Sequence, residues 1–140
     1  MPPATTHQVS EGKLFAPGNL RATATNPGYD RLVNFWQQAK YTLRYTGGLV
    51  PDVTQLVVKG RGIFTSVPCA DERPRLRLLY EAIPMAFLLE KAGGASSDGE
   101  TSLLDIPVLD PDARTQVALG SAAEVRRFEE MVGPAGSVQS

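Results

Sequence analysis

The sequence predicts an α/β fold, with a β-sheet largely covered by helices. Two observations point there. Short strand-like runs alternate with segments of helical period along the chain. One helical segment, AIPMAFLLEKAGG, is apolar nearly all round, which implies burial on several sides. A length of 140 residues suits one ordinary domain with its own core, and neither an internal repeat nor a long linker divides it.

The elements follow in order. KLFA at 13–16 reads as a brief strand stopped by Pro17-Gly18. PGYDRLVNFWQQAKYTL predicts a helix from about Tyr29, with Leu32, Val33, Phe35 and Trp36 near one side. After Gly47-Gly48, LVPDVTQLVVKG spaces Val50, Val53, Leu56 and Val57 for a helix, and Pro51 is tolerable in its first turn. GIFTSV reads as a strand and PCADERP as an exposed loop. LRLLYE is strand-like, and the apolar helix after it ends at Gly93-Gly94. LLDIPV and TQVALG read as two more strands. SAAE at 121–124 is a capping box that opens a last helix, AEVRRFEEMV. The expected layout is a disordered polar tail over 1–10, one domain over 11–131 and a second disordered tail over 132–140.

Composition narrows the function classes. Apolar residues make up 42% and charged residues 21%, normal for a soluble globular chain. A net charge of −1 argues against a nucleic-acid or membrane electrostatic footprint. No run approaches the ~18 apolar residues needed to span a bilayer. The lone Cys69 cannot form an internal disulfide or a multi-cysteine metal site. MPPATTHQVSEG has the character of neither a signal peptide nor a transit peptide. Its His7, the sole histidine, has no catalytic partner nearby in sequence.

No nucleotide-binding, nucleophile-elbow or zinc-protease motif is present. Polar residues gather instead at element ends: Asn19 after Pro-Gly, Arg44-Tyr45 before Gly-Gly, and Arg75 to Glu81. Glycine-flanked arginine and tyrosine suit phosphate, because a guanidinium pairs its oxygens in two places and glycine admits a close backbone. The same residues also fit surface arginines and a glutamate favoured by a helix start. Spacing alone leaves both readings open.

Longer runs add a resemblance. YTLRYTGGLVPDV, RLRLLYEAIPMAFLLEKAGGASSDG and RTQVALGSAAEVRRFEE resemble, in order, the C-terminal half of the fructose-1,6-bisphosphatase family. APGNLRAT, TLRYTGG and RTQVALGS look most like its sedoheptulose-1,7-bisphosphatase branch. The likeness runs from about Glu11 to Met131. It implies a mixed β-sheet flanked by helices, and metal-dependent hydrolysis of a sugar bisphosphate's 1-phosphate, in the Calvin cycle or gluconeogenesis. The implied cofactor is Mg2+.

By the same resemblance, Glu81 is a ligand of the catalytic metal and Asn19 and Tyr45 contact the distal phosphate. Arg44 reaches the neighbouring subunit's distal phosphate, which implies a homodimer or higher oligomer. Arg75 stands where the family has a lysine that contacts sugar and phosphate; its planar fork is a different contact from a point charge. Ser66 stands where hexose enzymes have a phosphate-contacting tyrosine, leaving room for a seven-carbon sugar. Location follows the branch: chloroplast for the sedoheptulose type, cytoplasm otherwise. The remaining metal ligands of the family, a glutamate and a DPxDGS motif, have no counterpart here, and DPDA at 110–113 reads as a turn. The chain is therefore expected to be half an enzyme, inactive alone. The alternative is a non-catalytic module for sugar-phosphate binding or dimer pairing.

Overall fold

A computed structural model describes residues 10–70 and 72–134. In chain order its strands are β1 (Ser10–Gly18), β2 (Thr42–Leu43), β3 (Arg61–Ser66), β4 (Leu76–Arg77), β5 (Ala95–Ser97), β6 (Arg114–Thr115) and β7 (Val117–Gly120). The helices are α1 (Pro27–Gln38), α2 (Leu49–Lys59), α3 (Ile83–Lys91) and α4 (Ala122–Met131). A five-stranded sheet has the order β2-β1-β3-β7-β5, and β4 and β6 form a separate pair. β1, β2 and β3 are parallel, while β7 runs antiparallel to both β3 and β5. This is the mixed, helix-flanked sheet that the sequence implies.

Successive strand side chains point to opposite faces, so β1, β3 and β7 each feed two cores. Leu14, Ala16, Phe64, Val117 and Leu119 face α2 and α3, meeting Val53, Leu56, Ala86 and Leu89. Phe15, Ile63 and Ala118 face α1 and α4, meeting Tyr29, Leu32, Trp36 and Phe128. The α1 start is fixed by a cap: Asn26 Oδ1 accepts the Tyr29 N–H at 3.0 Å and Pro27 takes the first helical position. That begins the helix two residues before the expected Tyr29. At the end of α3 the Gly94 N–H reaches Leu89 O at 2.8 Å and the Gly93 N–H reaches Glu90 O at 3.2 Å. Gly93 takes φ +90°, so this is a Schellman stop that glycine alone adopts easily.

Several expectations need correction. β1 spans Ser10–Gly18, well beyond KLFA, because β3 pairs with it at both ends, at Ser10 and over Phe15–Gly18, with an irregularity between them. LRLLYE is a strand only at Leu76–Arg77; its partner β6 is two residues long, and the chain then coils into a π-helical turn over Leu78–Ala82. That turn buries Leu78 and Ala82 together. LLDIPV holds a short 3-10 turn, Leu103–Asp105, capped by Ser102, and the three-residue β5 was missed. α3 is not buried on several sides: Ala86 and Leu89 face the core while Phe87 is 56% exposed and Leu88 39%. The start of PCADERP is packed, with Cys69 buried.

The capping box does not form. Ser121 is the N-cap of α4, but its N–H donates to Gly62 O at 3.0 Å and its hydroxyl is buried without a partner. Glu124 instead accepts from Tyr41 Oη at 2.5 Å and from Arg127 at 2.7 Å. Packing continues past Met131: Val132 is buried, and the Gly133 carbonyl accepts from Gln116 at 2.8 Å. His7, residues 1–9 and residues 135–140 of the expected tails lie outside the described residues.

Candidate functional site

Parallel strands place their following loops on one side of a sheet. Here β1 leads into Asn19, β2 into Arg44 and Tyr45, and β3 ends at Ser66. β1 lies between β2 and β3. Neighbouring strands are ~4.8 Å apart, so the three loops start within about 10 Å of one another. Register brings the other candidates to the same end. Ser66 pairs with Val117 at the start of β7, and Leu76 and Arg77 of β4 pair with Thr115 and Arg114 just before it. Arg75 and Glu81 flank β4, so all five predicted residues belong to one end of the sheet. In open α/β sheets that end, beyond the carboxyl termini of the parallel strands, is the usual ligand crevice.

Asn19 sits in the left-handed region at φ +56°, a conformation open to asparagine but rare for other side chains. Its Nδ2 donates to Val67 O at 2.8 Å, tying the end of β1 to the chain just past β3, with Cys69 Sγ at 3.8 Å. Its Oδ1 is buried and has no partner. Gly18 lies so close to β3 that a Cβ there would stand 2.6 Å from Thr65 O. The turn depends on glycine before it. Below it, the Tyr29 hydroxyl donates to Gly18 O and bonds Thr65 Oγ1, both at 3.0 Å. Burial pushes the Tyr29 phenol well up, and nearby Tyr45 adds to the shift.

Arg44 and Tyr45 are exposed, and their loop is tied down at both ends. The Arg44 N–H donates to Phe15 O at 2.9 Å, and the Thr46 N–H to Asp52 Oδ1 at 2.9 Å. Asp52 is buried in the first turn of α2, and its Oδ2 has no partner. Arg75 is exposed in the segment from Cys69 to β4. Glu72 organises that segment by accepting from the Cys69 N–H at 3.4 Å and pairing with Arg21 at 3.5 Å. The Cys69 thiol holds the Glu72 carboxyl below its usual range, and Arg21 and Arg75 add to the effect. An ion pair this exposed contributes little stability, so the backbone bond carries the loop's shape.

Glu81 lies on the π-helical turn, partly exposed, and its Oε1 accepts the Arg77 N–H at 2.8 Å. Such turns concentrate at functional sites, because the extra residue re-aims a side chain. The hydrogen bond fixes one carboxylate oxygen. Among the described residues, no group of three or more His, Cys, Asp or Glu could hold a metal ion. Glu81 fits one ligand position of a hard cation, which takes several oxygens, and does not fill the site alone. DPDA is a turn: Asp110 Oδ1 accepts the Asp112 N–H at 2.9 Å. No helix among the described residues is long and apolar enough to cross a membrane.

Residues 9–133 match the sequence profile described as fructose-1-6-bisphosphatase, C-terminal domain. The chain belongs to the fructose-1,6-bisphosphatase family. It is 59% identical over 128 residues to the chloroplastic sedoheptulose-1,7-bisphosphatase of Chlamydomonas reinhardtii, covering 90% of this chain and 33% of that protein. Against the class 1 fructose-1,6-bisphosphatase of Geobacter metallireducens it is 40% identical over 124 residues, covering 87% and 39%. A Toxoplasma gondii crystal structure described as a sedoheptulose-1,7 bisphosphatase superposes with a TM-score of 0.86 at 42% identity, covering 89% of this chain and 40% of that one. In each case this member of the fructose-1,6-bisphosphatase family spans well under half of its relative's length.

Within the family fold, motif reading located the loops but missed their supports: Tyr29, Thr65, Asp52 and Glu72. Tyr29 reads as one more core aromatic of α1 and Thr65 as a strand residue. One usable signal was Asp52 in the first turn of a helix opened by Gly-Gly, where a carboxylate accepts free backbone N–H groups.

Proposed function

We propose that this chain is the part of a sugar-bisphosphate 1-phosphatase that grips the substrate's distal phosphate and supplies one carboxylate, Glu81, to the catalytic metal. One observation carries the reading: strand register brings Asn19, Arg44, Tyr45, Arg75 and Glu81 to one end of the sheet although they are spread over positions 19–81 of the sequence. Arg75 and Tyr45 offer donors to phosphate oxygens, and exposure leaves both accessible. Arg44, also exposed, is suited to a neighbour's phosphate, which favours a homodimer or higher oligomer in the complete enzyme. Ser66 is small and lies at the strand end, which favours a seven-carbon sugar.

Glu81 would hold magnesium together with carboxylates from the rest of the protein. The bound ion would supply water activation and charge neutralisation. Glu81 itself orients by its bond to Arg77 and leaves its second oxygen for the cation. The high identity to chloroplastic relatives favours a chloroplast location, and the similarity to class 1 bacterial enzymes keeps a cytoplasmic one as the alternative. By itself the chain acts as a binding module, since one carboxylate does not assemble a reactive metal cluster.

Sedoheptulose 7-phosphate, which carries only the distal phosphate, tests this. Titration followed by NMR is expected to move the amides of Asn19, Tyr45 and Arg75 saturably, with a Kd of about 1 mM for so open a site. Arg75→Ala is expected to weaken it. Shifts confined to other surfaces contradict the reading.

A further inference from the structure

We propose that Tyr29 is a positioning residue: its buried hydroxyl locks the ends of β1 and β3 together and sets the left-handed turn at Asn19. The functional half of this proposal rests on the phosphate subsite described above.

Hydrogen-bond valence gives the direction of the lock. A phenol has one proton to give. Gly18 O is a pure acceptor, so the Tyr29 proton goes there, and the Thr65 hydroxyl must donate back to Tyr29 Oη. Both side chains are fully buried, and the arrangement leaves neither hydroxyl without a partner. The Gly18 carbonyl belongs to the peptide unit that joins Gly18 to Asn19. Holding that plane restricts φ of Asn19, which stands at +56°. Asn19 Nδ2 then completes the closure through Val67 O.

The rest of the neighbourhood supports the same role. The cap at Asn26 seizes the Tyr29 backbone N–H, which fixes the first turn of α1 and aims the ring at the strands. Gly18 keeps the two strand ends close enough for one hydroxyl to bridge them. Burial holds the phenol in its protonated, donating form throughout the physiological range. A phenylalanine would fill the same core space without this bond. The hydroxyl is therefore in excess of what packing requires.

The experiment compares Tyr29→Phe, Thr65→Val and Thr65→Ser with the wild-type chain. Inorganic phosphate affinity is measured well below the unfolding transitions, together with amide exchange at Ala22, whose N–H donates to Asn19 O across the turn, and at Val125 in α4. Tyr29→Phe is expected to weaken phosphate ~10-fold and to speed exchange at Ala22 but not at Val125. Thr65→Val is expected to move both readouts the same way, and Thr65→Ser to retain wild-type behaviour. A Tyr29→Phe chain that binds phosphate normally and only melts earlier overturns the proposal, since the hydroxyl is then a core bond and nothing more. Wild-type protein that does not bind phosphate overturns the subsite and the functional half with it, whereas unchanged Ala22 exchange overturns the positioning itself.

Discussion

Glu81 accepts the backbone N–H of Arg77 through Oε1 at 2.8 Å, across the π-helical turn of Leu78–Ala82. A carboxylate placed at the threshold of an apolar helix thus has one oxygen committed to the backbone and its charge still available.

That geometry makes Glu81→Gln a clean probe. The amide oxygen can keep the Arg77 bond, so the turn survives while the charge is lost. In an enzyme completed with the upstream part of its relatives, activity is expected to fall by at least ~100-fold and the magnesium requirement to rise. Phosphate release against magnesium concentration checks it. Wild-type turnover and metal response would reduce Glu81 to a structural role.

Alkaline stability should depend on Tyr41. Burial and then its hydrogen bond to Glu124 push the Tyr41 phenol from 10.0 up to about 12. A raised folded-state value means that the neutral form is favoured by folding. Its contribution is therefore fully present below about pH 10 and is lost as pH rises towards 12. Tyr29 shifts in the same direction. Denaturant midpoints across pH 9–12 are expected to fall, and to fall less steeply in Tyr41→Phe. Equal slopes would contradict the assignment.

The outer side of α3 and the turn before it leave Leu79, Tyr80, Phe87 and Leu88 exposed. Several large apolar side chains exposed on one short segment favour association. The chain is expected to self-associate with rising concentration. Phe87→Glu should suppress this, with a stability change of less than about 1 kcal/mol, since the side chain is already more than half exposed. Concentration-dependent sedimentation would show it, and an unchanged profile would place the contact elsewhere.

Legibility in the sequence followed periodicity. α1 and α2 carry one apolar stripe each, buried at Leu32, Val33, Trp36, Val53 and Leu56, whereas Val50, placed on the same stripe by its spacing, is 57% exposed in the first turn of α2. α3 was legible as a helix but not in its burial: composition shows that a segment is apolar, not which sides find a neighbour. β5 escaped because Ala95–Ser97 has no apolar alternation; its serines are buried by hydrogen bonds, with Ser96 to Glu90 at 2.6 Å and Ser97 to Glu129 at 2.6 Å. The Ser121–Glu124 box failed because the Glu124 carboxylate is taken elsewhere: by Tyr41, 83 residues away in sequence, and by Arg127, one turn further along α4. At the site, the loop residues were legible through family motifs. Tyr29 and Thr65 were not, because their bond joins positions 36 residues apart and no local pattern records it.

The most direct measurement is phosphate release from sedoheptulose 1,7-bisphosphate by the purified 140-residue chain in excess magnesium, with binding followed in parallel. The expected result is weak binding and no hydrolysis, because Glu81 alone cannot place metals at both the attacking and the leaving oxygen. Turnover that survives purification away from host phosphatases, and that vanishes in Glu81→Gln, would contradict it.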